Sequence, residues 1–89
     1  MNKINTILKS LSSNEPEDRS VEIAQASLGG KDTIYKKING EARNLHCVEV
    51  INVATSKAGD PYMRATWIDL DNNNEQADKT VRLENLTLA

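Results

Sequence analysis

The chain has no phenylalanine, a single tryptophan, two tyrosines, one cysteine, one histidine and two prolines in 89 residues. With so few aromatics the core must be built from Ile, Leu, Val and Ala, and little stacking surface remains for nucleobases. A lone Cys47 cannot form an internal disulfide, which points to a reducing, cytoplasmic setting. One cysteine and one histidine also leave a zinc site short of ligands. His46 and Cys47 are neighbours, and neighbours on a strand face opposite ways. Neither a shared metal nor a Cys–His nucleophilic pair follows from them, and Cys47 reads as a small buried apolar residue. No apolar run is long enough to span a membrane, and no secretory signal pattern opens the chain. A glycine-rich phosphate loop is missing too, since Gly29-Gly30 reads as a helix stop. Positive charge is not in excess. A net charge of −2 argues against coating duplex nucleic acid through phosphates alone, while one local basic patch is still allowed.

What is present suits one folded domain over residues 1–89. Hydrophobic residues make up 38% and charged residues 27%, in the range of globular chains. Ile4, Ile7, Leu8 and Leu11 fall on one stripe of a short helix. Asn14-Glu15-Pro16-Glu17 then reads as the start of a second helix, with Asn14 as cap and Glu17 three residues on. That helix runs to about Leu28, with Val21, Ala24 and Leu28 on one face, and ends at the glycine pair.

Beyond Gly30 the period changes to that of strands. Thr33 to Ile38 is rich in β-branched and aromatic residues. Asn39-Gly40 is a hairpin signal, because a type I′ turn needs positive φ at both central positions. A long strand follows from Arg43 to Ala54. Leu45, Cys47, Ile51 and Val53 are expected on one face, and His46, Val48 and Val50 on the other. Apolar residues on both faces imply a central or bent strand serving a small barrel. Ser56 to Pro61 is a turn. Tyr62 to Leu70 is the next strand, with Met63, Ala65 and Trp67 sharing a face. Asp71 to Asn74 is a loop, and Lys79 to Leu88 closes the domain as one strand. The expected fold is α+β: one or two short helices within residues 1–30, packed on a small antiparallel barrel of four or five strands over residues 31–89.

Two stretches carry a resemblance. Pro61-Tyr62-Met63-Arg64-Ala65 is similar to the Trp-Tyr-Leu-x-Ala strand that names the WYL domain, and Lys79-Thr80-Val81-Arg82-Leu83-Glu84-Asn85-Leu86 is similar to its closing Arg-Thr-Phe-Arg-Leu-Asp-Arg-Ile strand. Ile23, Ala26, Tyr35, Gly40, Val48 and Val50 fit its earlier pattern. The chain thus resembles a free-standing, divergent WYL domain over about two-thirds of its length. Trp gives way to Pro61, the first cation to Lys79 and the third to Asn85. The resemblance implies an Sm-like or SH3-like barrel. It also implies a non-catalytic sensor of nucleic acid or nucleotide-like ligands, of the kind found in bacterial transcription regulators and defence proteins.

On that basis Tyr62, Arg64, Lys79 and Arg82 are the candidate ligand-binding residues. Cations clustered on adjacent strands repel unless an anion lies between them, and a phosphate meets that demand. The competing reading is solvated strand-face cations paired with Glu49, Asp69 or Glu84. Tyr62 would then be a core residue with its hydroxyl at the rim. Asp69, Asp71 and the Asn run resemble a crude calcium loop but lack its central Gly and twelfth-position Glu, so no metal is expected. No acid, base and nucleophile are matched, so neither an enzyme nor a cofactor is expected.

The ligand expected is single-stranded nucleic acid or a nucleotide. The alternative function is a small interaction factor from a phage or mobile element that binds a host protein. Its contact surface, or an oligomer seam, would be Ile4, Ile7, Leu8, Leu11 and Trp67. The same stripe could equally pack on the barrel, and Trp67 on the helices. No membrane partner is expected.

Overall fold

A computed structural model describes residues 7–8, 17–36 and 40–89, with the backbone alone at 17 and 18. Helix α1 spans Glu17–Leu28, followed by β1 (Asp32–Lys36), β2 (Ala42–Thr55), β3 (Pro61–Asp69) and β4 (Glu75–Arg82). A 3-10 turn at Leu83–Asn85 then leads into β5 (Leu86–Leu88). The fold is therefore α+β, with the helix preceding a single antiparallel sheet of five strands.

Helix α1 forms where the apolar spacing requires it. Ala24 and Leu28 are fully buried, with Val21 and Ile23 packed at the margin. Burying a leucine such as Leu28 contributes about 1.5–3 kcal/mol. The helix stops at the glycine pair as expected. Gly30 takes φ +74, where a side chain would be strained. Its N–H donates to the Cys47 carbonyl at 2.7 Å, tying the helix end to the middle of β2. Ile7 and Leu8 are helical as well, with Ile7 fully buried and Leu8 half-buried. Ile4, Leu11 and the Asn14 cap lie outside the described residues, as does Asn39 of the expected hairpin turn. Gly40 beside it takes φ +89, and β1 and β2 pair across that connection from Lys36↔Ala42 to Asp32↔His46.

The strand order is β4-β3-β2-β1-β5. The expected barrel is not closed by hydrogen bonds, because β4 and β5 occupy the two edges of the sheet. The cause is local. The expected single closing strand is split by the 3-10 turn, so the short β5 leaves β4 and pairs with β1 through Thr33↔Leu88 and Tyr35↔Leu86. Val81, Leu83 and Leu86 are nevertheless all buried, since the corner carries each into the same core.

Strand β2 corrects a second expectation. Its register against β3 shifts between Cys47 and Glu49 and again between Val50 and Asn52. Each irregularity adds a residue and resets the alternation of faces. The inward row is therefore Leu45, Cys47, Val50 and Val53, while Val48 and Ile51 point outward and are exposed. Strict alternation had grouped Ile51 with Leu45, Cys47 and Val53, and Val50 with His46 and Val48 on the opposite face. β3 alternates regularly: Met63, Ala65 and Trp67 share a face as the sequence predicts, and that face is the core. Buried Thr33 is satisfied by donating its hydroxyl to the Leu45 carbonyl at 2.8 Å.

Candidate functional site

The inward row of β3 ends on a charge. Asp69 follows Met63, Ala65 and Trp67 at the same parity and is only 3% exposed. A buried carboxylate is costly unless it is paired and hydrogen-bonded. Asp69 Oδ2 accepts from Arg43 Nη1 at 3.1 Å and lies 3.7 Å from Lys79 Nζ. Its Oδ1 accepts the Asp71 N–H at 3.1 Å. β2 supplies Arg43, β3 supplies Asp69 and β4 supplies Lys79, so three strands converge on one carboxylate.

These residues line a cleft of about 230 Å³, together with Tyr35, Thr80 and Asn72. Arg43 and Lys79 each keep more than a third of their side chain exposed, at 36% and 46%. Arginine has five N–H donors and lysine three, so both retain capacity beyond Asp69. Arg43, Lys79 and Asp69 together carry one net positive charge. Such a site can accept an anion without removing the carboxylate that orders it.

The expected ligand residues do not form one wall. Register places Tyr62 opposite Arg82, Arg64 opposite Thr80 and Lys79 opposite Ala65. Tyr62, Arg64 and Arg82 thus share the outer face of the sheet, and Lys79 alone points to the inner side. On the outer face Arg82 is held by Asp60 at 2.9 Å and Glu84 at 3.1 Å. Arg64 is exposed and makes no ion pair among the described residues. Lys79–Asp69 and Arg82–Glu84 are two of the pairings that the solvated-cation reading anticipates.

Trp67 is 1% exposed, so it belongs to the core and not to the surface that a partner protein would meet. Its indole N–H donates to the Lys79 carbonyl at 3.1 Å. Of the expected contact stripe, Ile7 is likewise inside the core. Cys47 is buried and His46 faces outward, with Nδ1 2.6 Å from Asp32 Oδ1. Burial pushes the Cys47 thiol up to about 11, which suppresses the reactive thiolate. Asp71 is shifted as well. The Asn44 backbone N–H, then the Asn44 side chain, and more weakly the Arg43 charge hold its carboxyl below the usual value. Among the described residues, no three of His, Cys, Asp and Glu are gathered to hold a metal.

Arg43 and Tyr35 were not singled out as ligand residues, and Asp69 was named only as an ion-pair partner or part of a loop. One signal was available for Asp69: it continues the apolar parity of β3, where an acid demands partners. Nothing in the sequence marked Arg43, because its approach depends on the pairing of β2 with β3. No protein-family model, curated protein or solved structure matches the chain.

Proposed function

We propose that the chain is a non-catalytic binding module for an anionic ligand, and that Arg43 and Lys79 hold one phosphate group of a single-stranded nucleic acid or nucleotide in the inner cleft. The observation that carries this reading is the convergence of both cations on the buried Asp69, with donor capacity left over. Asp69 acts as a positioning residue and does not itself meet the anion. Tyr35 lines the cleft wall beside them, while Thr80 borders it with a side chain of outward parity. The succession of helix α1 and five antiparallel strands, with a 3-10 turn before the last, supports an Sm-like architecture and, with it, the WYL-type reading. A role in transcription regulation follows from that resemblance alone.

Labelled oligonucleotides and nucleotides titrated against wild type, Arg43→Ala, Lys79→Ala and Arg64→Ala test the proposal. Binding is expected at low salt and is weakened by the first two changes but not by the third. With one phosphate engaged, log affinity should fall against log salt with a slope of about −0.7. No binding at low salt overturns it.

A further inference from the structure

β4 is an edge strand of eight residues with no proline, and most of its side chains are exposed. The Leu70 N–H donates to the Asn44 carbonyl, so even-numbered residues at that end of β3 turn their backbone groups toward β2. Alternation directs the odd-numbered ones toward β4. Their partners Glu75, Ala77, Lys79 and Val81 therefore point back into the ladder. Among the described residues, Gln76, Asp78, Thr80 and Arg82 are left with backbone groups directed at the open edge. An unpaired row of this kind is a template for another strand.

The charges along β4 say which strand fits. Acids occupy its first half, at Glu75 and Asp78, and bases its second half, at Lys79 and Arg82. Such a strand is complementary to itself when antiparallel. Pairing two copies about a two-fold axis normal to the sheet keeps each face continuous, so the axis must pass through a residue. Centred on Asp78 or Lys79, it sets like charges directly opposite, which is unfavourable. Centred on Thr80, it relies on Arg82, which Asp60 and Glu84 hold at 2.9 and 3.1 Å, more closely than Asp69 holds Lys79 at 3.7 Å. Centred on Ala77, it sets Glu75 opposite the partner's Lys79 twice, with the smallest side chain of the strand at the axis.

We infer that the β4 edge is a self-association surface, where a second copy of this chain pairs antiparallel about Ala77 to form one continuous sheet. The inference shares Lys79 with the anion cleft, but the backbone pairing and the Ala77→Cys test stand without that reading. In this register Ala77 faces itself in a non-hydrogen-bonded pair, with Cα atoms about 4.5 Å apart, a span that a disulfide bridges.

Sedimentation equilibrium on the full chain tests it, with cross-linking as a second readout. Wild type is expected to dimerise with rising concentration. Glu75→Lys should weaken association about tenfold or more, by turning two attractive pairs repulsive. The double change Glu75→Lys, Lys79→Glu should restore it. Ala77→Cys should form a disulfide dimer on mild oxidation, whereas Thr80→Cys should not. A wild-type monomer up to about 1 mM overturns the inference, since association weaker than that has no consequence. So does cross-linking at Thr80→Cys in place of Ala77→Cys, or association indifferent to Glu75→Lys.

Discussion

The indole N–H of Trp67, deep in the core, donates to the main-chain carbonyl of Lys79 at 3.1 Å. The core is thereby fastened to the residue that presents a cleft cation. Trp67→Phe keeps the ring but removes the donor and leaves a small void. A loss of about 1–3 kcal/mol is expected in denaturant unfolding, with little change in the denaturant slope. A change below about 0.5 kcal/mol would mean that the bond contributes little.

Gln25 performs a related service for β2. Its Oε1 accepts the Val50 N–H at 2.8 Å, between the two register shifts of β2. Gln25→Ala leaves that donor without its partner, at a cost of about 1–2 kcal/mol, and should speed amide exchange at Val50 ahead of its neighbours. Gly29 lies under the same side chain, and a Cβ there would collide with the Gln25 amide and carbonyl. Gly29→Ala should therefore also destabilise. Unchanged Val50 exchange in Gln25→Ala would contradict this role.

Asp71 ties the loop after β3 to β2, and its folded carboxyl titrates below its ordinary value of 3.8. A lowered folded value means that the unfolded chain binds the proton more readily. The contribution is thus complete above the unfolded value and is lost as the pH falls through the folded one. Asp71→Asn should flatten the acid limb of the stability profile below about pH 4. An identical acid limb in both proteins would show that Asp71 does not contribute to it.

The helix Glu17–Leu28 and the shared face of Met63, Ala65 and Trp67 on β3 were legible in sequence, because each follows one period without interruption; that this face points inward was not. β2 was not, because two register shifts within a single strand break the period that sequence reading relies on. The last strand was misread for a similar reason. Val81, Leu83 and Leu86 look like one inward set, but a 3-10 corner carries them inward from different segments. The cleft depends on pairing between strands distant in sequence. Lys79 could be named, and its separation from Arg82, three residues on, follows from alternation, but its separation from Arg64 needs the β3–β4 register.

The central claim is that the inner cleft, and not the outer face, receives the anion. Backbone amide NMR during titration with a nucleoside monophosphate and with a short single strand tests it most directly. The account predicts saturable shifts at Tyr35, Arg43, Lys79 and Thr80, all lost in Lys79→Ala, with Arg64 and Arg82 unmoved. Shifts centred on Tyr62, Arg64 and Arg82, or none at low salt, would contradict it.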